Sequence, residues 1–462
     1  MAHRRRTTRQ LAVATGLGVI LSTVFAAVPA NAAEPFTQEE LKYDYPSNAA
    51  YDYIPIMDLF TDIVNNQPGV VALNDATTVR INRTATATEI DRAIVDQYAD
   101  MSLSMADGLG VNLGAIYTAA MAAGELPKTK ALISKDGGLV GYYSSTNPAK
   151  DFFDYDRPYI RFEAALVKHD KPGGNVWSST SGSYPSGHTS QAYWQGTTLA
   201  TLLPELSPQI LARTSEAGNN RIVLAAHYPL DVMSGRMMGQ HIVERRWSDA
   251  QFRVLFEEAS AELRAVLEAE CGDTLAACIA ADTPYMSDED ALAVYEERLA
   301  YDFVQTGAAG QDVTVPANAE SLLLTSHPTL TDAQRRQVLE MTATDSGYPL
   351  DEAANGSWER INLSAAMAAD VVVNADGTVS FAADVVVPTP TTPPTENPAV
   401  VVPVDVVTPG GTTVNDTATG AAADGELAAT GTEVGGALAA ALALLVAGAA
   451  VMVRRRRITA RN

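Results

Sequence analysis

From residue 191 to residue 270 the chain reads as four helices in close succession, and this run limits the fold more than any other feature. The stretches 191–203, 207–226, 230–247 and 248–270 each lack the period-two alternation of a half-buried strand. The last is amphipathic, with Phe252, Leu255, Phe256, Leu263 and Leu267 on one side. Residues 88–123 carry the same signal through Ile90, Ile94, Val95, Tyr98, Leu109, Leu113, Ile116 and Tyr117. Strand signals are few, so residues 34–279 are expected to form an all-α helical bundle.

Beyond residue 280 the texture changes. A helix is expected around 332–341, capped by Thr331 or Asp332. A small hairpin should follow, with strands at 371–373 and 378–381 and a turn at Asp376-Gly377. This small mixed segment, residues 280–385, either packs on the bundle or stands as a domain of its own, and the sequence assigns it no role. Cys271 and Cys278 are the chain's two cysteines, and in an exported protein such a close pair is expected to form a local disulfide; metal binding is the alternative, with no His or further Cys nearby.

Export is what the N-terminus predicts. Arg4-Arg5-Arg6 and Arg9 precede an apolar run from Leu11 to Val28, and Ala30-Asn31-Ala32 supplies small residues for cleavage. Residues 1–32 therefore read as a signal peptide, with the twin-Arg export route left open. Residues 386–426 are rich in Pro, Thr and Val, a composition that cannot bury a core and suits an extended spacer reaching on the order of 100 Å. Residues 427–462 combine Leu427-Ala428-Ala429-Thr430-Gly431, an apolar run from Val434 to Val453, and Arg454-Arg455-Arg456-Arg457. That order resembles the cell-wall sorting signals that sortases read in Gram-positive bacteria, in the variant of high-GC actinobacteria. The resemblance implies cleavage between Thr430 and Gly431, with Thr430 joined to peptidoglycan. The alternative is a plain transmembrane anchor of about 20 apolar residues with its positive charge kept inside.

The chain carries 55 acidic and 32 basic side chains, a net charge of -23. Without the two terminal signals, residues 33–430 keep 23 basic against 54 acidic side chains, a net charge of -31. Such a surface repels nucleic acid and anionic lipid. An anionic substrate would need a local cationic pocket set against that field.

Three blocks could build one. The first runs from Lys150 to Arg157-Pro158 and includes Asp151, Asp154 and Asp156, which could instead make it a solvated ion-pair network. The second is Gly182-Ser183-Tyr184-Pro185-Ser186-Gly187-His188-Thr189-Ser190. It places Ser186, Gly187 and His188 at a helix N-terminus, where free N–H groups and the dipole favour an anion. The third runs from Asn220-Arg221 to His227 and Asp231. Its spacing lets the Asp231 carboxylate reach back to the imidazole, fix its tautomer and leave Nε2 as a nucleophile or base. Arg221 stands in an otherwise apolar stretch and wants an anionic partner. Of the other histidines, His3 lies in the signal, His169 reads as a surface loop residue, and His241 and His327 read as structural.

Lys-(six)-Arg-Pro, then Pro-Ser-Gly-His, then Arg-(five)-His-(three)-Asp, over roughly residues 70 to 245, resembles the signature of the phosphatidic-acid-phosphatase type 2 superfamily. The flanking residues are most similar to those of secreted bacterial non-specific acid phosphatases. The resemblance implies a helical bundle of the acid phosphatase and vanadium haloperoxidase type. It implies hydrolysis of small phosphomonoesters with His227 as nucleophile, Asp231 orienting it, and His188 as proton donor and then base. Lys150, Arg157, Ser186, Gly187 and Arg221 would hold the phosphate, with no metal and no cofactor. Asn220 stands where the family usually has Ser, and could still reach a phosphate oxygen. Vanadium-dependent haloperoxidases share the signature with vanadate in place of phosphate, and form the alternative reading. A surface protein with a dead site is the third. The expected partners are a small phosphorylated substrate, a sortase and peptidoglycan, without nucleic acid, on the outer face of a Gram-positive cell.

Overall fold

The computed structural model describes residues 45–382. The signal peptide, the spacer and the sorting signal with its apolar helix lie outside the described residues. Among the described residues, no helix is long and apolar enough to cross a membrane.

The fold is all-α, with one two-stranded hairpin near the end. The first helices are α1 (Leu59–Asn66), α2 (Pro68–Thr84), α3 (Ala87–Tyr98) and α4 (Met101–Ser104). Then come α5 (Val111–Ala123), α6 (Pro127–Ile133), α7 (Asn147–Phe153) and α8 (Pro158–Arg161). The centre is α9 (Gly187–Leu202), α10 (Ser207–Val223) and α11 (Pro229–Ser248), followed by α12 (Ala250–Cys271) and α13 (Leu275–Ala281). The chain continues with α14 (Asp288–Ala300), α15 (Asp332–Thr342) and α16 (Leu363–Ala368), and ends in β1 (Val371–Val373) and β2 (Val379–Phe381).

The expected continuous helical stretch over 88–123 is broken. Ala99 is extended, and Asp100 turns its carboxylate onto the Ser102 N–H to start a new turn. Gly110 then takes φ +99°, a region open to glycine, before α5 begins. Further on, Thr331 caps α15 through a reciprocal capping box with Gln334. The hairpin pairs Val371 with Phe381, Val372 with Ser380 and Val373 with Val379. Cys271 and Cys278 are joined in a disulfide across the left-handed Gly272.

α9 lies between α10 and α11 and is buried around nearly its whole girth, as expected of a helix with no solvent face. Glycines permit that closeness. A Cβ on Gly239 of α11 would stand 2.5 Å from the Tyr193 Cβ and 2.8 Å from the Ser190 carbonyl oxygen on α9. One on Gly235 would stand 2.8 Å from the Ser186 carbonyl oxygen. The later segment packs on the same centre, with α14 and α16 against α10. Arg236 of α11 donates to the carbonyls of Trp358 (3.2 Å) and Glu359 (2.7 Å), which ties that segment to the bundle.

Candidate active site

His227 sits in the turn between α10 and α11. The Ala226 and His227 N–H groups both return to the Arg221 carbonyl, at 3.0 and 3.3 Å, and Ala225 takes φ +49° to make the bend. Helix α2 braces the turn on both sides. Asn82 donates to the Val223 carbonyl at 2.8 Å, and the Asn74 side-chain oxygen accepts from the Leu230 N–H at 3.1 Å. Pro229 opens α11, which puts Asp231 in the first turn.

Asp231 is fully buried, and one of its oxygens does most of its bonding. Oδ2 accepts from His227 Nδ1 at 3.0 Å, from the Tyr228 N–H at 3.0 Å, and from the Ser183 hydroxyl in a short hydrogen bond. The other face of the ring meets Arg157, whose Nη1 lies 3.1 Å from His227 Nε2. A guanidinium only donates, so Nε2 is the acceptor and Nδ1 carries the proton. The ring is held in the tautomer that keeps a lone pair on Nε2.

The cations converge on the same place. Lys150, on α7, donates to the carbonyls of Gly182 (2.7 Å) and Ser183 (3.1 Å). Arg157, at the N-cap of α8, donates to the carbonyls of Ser181 (3.0 Å) and Ala226 (3.0 Å). Arg221 is 3% exposed, and its Nη1 donates to the Gln97 side-chain oxygen. The anionic partner expected for Arg221 is thus replaced by a neutral amide. Asp151, Asp154 and Asp156 are exposed, and none forms an ion pair with Lys150 or Arg157, which removes the solvated-network reading of that block. All three cations are buried and hydrogen-bonded to neutral oxygens, an arrangement that leaves their charge available to an anion.

Ser186 caps α9. Its Oγ accepts from the Thr189 N–H at 3.3 Å and hydroxyl at 2.8 Å. Its own N–H donates to the Asp231 carbonyl at 3.0 Å, so the start of α9 is fastened to the first turn of α11. A Cβ on Gly187 would come 3.0 Å from Thr146 Oγ1. His188 follows, half-buried in the first turn. Burial, then the charges of Arg221, Lys135, Arg157 and Lys150, hold its pKa well below the ordinary range. Burial and Arg157, Lys150, Arg221 and His188 do the same to His227. Both imidazoles therefore lie in one cationic field. Burial and the neighbouring Arg157 pull Lys150 down to about 7, and burial pushes Asp231 up to about 6.

Some predicted neighbours go elsewhere. The Asn220 amide donates to Asp96 at 2.7 Å and is spent there. His169 is half-buried, with Nε2 at 2.9 Å from the Asn82 carbonyl, so it is no plain surface residue. His241 is buried among Tyr51, Tyr53 and Trp358, and His327 Nε2 lies 2.8 Å from the Ala366 carbonyl. Sequence reasoning missed Ser183, Gln97, Asn74, Asn82 and the exposed Lys135. Only Ser183 lay inside one of the three blocks.

Residues 136–253 match the family described as the PAP2 superfamily, a span that holds every predicted catalytic and phosphate-binding residue. The chain carries a PAP2 superfamily domain. It is 32% identical to an acid phosphatase of Zymomonas mobilis over 140 residues, covering 30% of this chain and 51% of that protein. It is 29% identical to a non-specific acid phosphatase of Salmonella typhimurium over 115 residues, 25% of this chain and 44% of that one. A non-specific acid phosphatase of Providencia stuartii is 29% identical over 121 residues, 26% and 46% of the two chains. The chain spans about half the length of the curated relatives it matches, and at about 30% identity the homology is distant.

Proposed function

We propose that the protein is a phosphatase of small phosphomonoesters that works through a phosphohistidine. The observation that carries this reading is the set of three buried cations, bound to neutral groups and paired with no carboxylate, around a histidine whose Nε2 carries no proton and accepts from one of them, Arg157. Phosphoryl transfer needs the charge on three equatorial oxygens neutralised, a nucleophile in line, and a proton for the leaving oxygen. Lys150, Arg157 and Arg221 supply the first, with the Ser186 hydroxyl and the Gly187 N–H at the helix start.

In the first step His227 Nε2 attacks phosphorus and the bond to the leaving oxygen breaks. His188 gives that oxygen a proton. The cations that depress His188 are countered by a bound phosphate dianion, which restores its basicity. The carboxylate of Asp231 faces the positive ring that forms. In the second step water attacks phosphorus, its proton passes to His188, and the P–N electrons return to Nε2. The cations do the electrostatic work, so the proposal calls for no metal.

Purified protein should release phosphate from an aryl phosphate in the presence of EDTA, and vanadate should compete with the substrate. Peroxide-driven halide oxidation with vanadate, and no phosphate release, would establish the haloperoxidase reading instead. The same proposal puts the enzyme outside the cell, fixed to peptidoglycan through Thr430. Cell fractionation should find it in the wall, freed by wall-digesting enzymes and not by detergent. Release by detergent alone would favour a membrane anchor.

A further inference from the structure

We propose that Ser183 is a positioning residue that holds the Asp231 carboxylate ionised and aimed at His227. This rests on the phosphatase reading of the site and gives a role to a residue of the second block that the sequence reading left without one.

Ser183 is fully buried, and its own N–H is fixed to the Tyr155 carbonyl at 2.7 Å. Its carbonyl accepts from Lys150, so the residue is anchored on both sides of its side chain. The hydroxyl donates to Asp231 Oδ2, and its oxygen lies 3.5 Å from His227 Nδ1. It therefore touches both members of the pair at their shared hydrogen bond. Asp231 Oδ1 has no hydrogen-bond partner among the described residues. The carboxylate's orientation thus depends on the donors gathered at Oδ2, which are the His227 ring, the Tyr228 N–H and the Ser183 hydroxyl. Only the last belongs to a segment outside the turn from α10 to α11.

Other groups also face Asp231. Lys150 and Arg157 favour its charged form, and the Tyr155 and Tyr184 hydroxyls lie within its field. Against the burial that raises Asp231, the Ser183 hydrogen bond is the largest opposing influence. Removing it raises the carboxyl pKa further. Because the reaction needs Asp231 ionised, the acid limb of the pH profile moves to higher pH.

In the full chain, Ser183→Ala should move the acid limb of kcat/KM up by about one pH unit. At the pH of each enzyme's maximal rate kcat should fall about tenfold with KM unchanged, because phosphate contacts are intact. Ser183→Cys, a weaker donor of similar shape, should fall between the two and serves if the alanine variant folds poorly. An acid limb that stays in place in both variants overturns the proposal. The Asp231 carboxyl titration, followed by carbon NMR, reads the same shift without substrate. A wild type that releases no phosphate would thus end the phosphatase reading alone, and the titration would still decide Ser183.

Discussion

A chain with His227 replaced by Ala should keep its fold and lose at least about 10⁴-fold in kcat on any phosphomonoester, as expected when a covalent nucleophile is removed. The structure gives reasons to expect a clean loss. His227 is 2% exposed, and the groups that hold it are main-chain amides, Asp231 and Arg157, which remain in place. Among the described residues only one other imidazole shares its cationic field, and that is His188 in the first turn of α9. Replacement of His188 should behave differently. General acid catalysis contributes about 10²–10⁴-fold, and less when the leaving oxygen is already a stable anion. The His188→Ala enzyme should therefore lose far more on alkyl than on aryl phosphates, while the His227→Ala enzyme loses equally on both. Labelled phosphate trapped on the protein during turnover should appear in the wild type and vanish in the His227 variant. Retention of the label there would place the nucleophile elsewhere.

The parts of this site that were legible in the sequence are the parts whose geometry is local. His227 and Asp231 are four residues apart across a helix start, and Ser186 caps the helix that begins at Gly187. Neither relation needs knowledge of the rest of the fold. The supports are distant in sequence and leave no periodic trace. Ser183 reaches Asp231 across 48 positions, and Gln97 reaches Arg221 across 124. Helix α2 was not anticipated because its buried face includes Asn74, Thr77, Thr78 and Asn82, which reads as polar. Those asparagines face inward because they bond the ends of α10 and α11, so a positioning duty hides the helix from a hydrophobicity pattern. Asn220 misled for the reverse reason. Its neighbour Arg221 belongs to the site, while its own side chain points to Asp96.

Asp96 is where the second large effect is expected. It is 2% exposed and accepts two hydrogen bonds from Arg213, itself 1% exposed, at 3.0 and 2.5 Å. It also accepts from Asn220 at 2.7 Å and Ser104 at 2.9 Å, which joins α3, α4 and α10 through one carboxylate. Asp96→Ala leaves the Arg213 guanidinium buried, with Asp107 and Glu216 both at 3.4 Å and Glu216 already bonded to Arg92 and Tyr285. Stripping one partner from a buried pair costs about 3–5 kcal/mol, since the remaining charge loses its compensation. Urea unfolding of the variant should show a loss of that size. Replacing both partners with apolar residues of similar volume, as in Asp96→Leu with Arg213→Met, should recover most of it, because no uncompensated charge remains. The double variant should regain stability without regaining full activity. Asn220 still lacks its acceptor there, and Arg221 loses the nearby negative charge that favours its own. A single variant that unfolds within about 1 kcal/mol of the wild type would mean that Asp107 and Glu216 suffice for Arg213, and that Asp96 serves the site more than the fold.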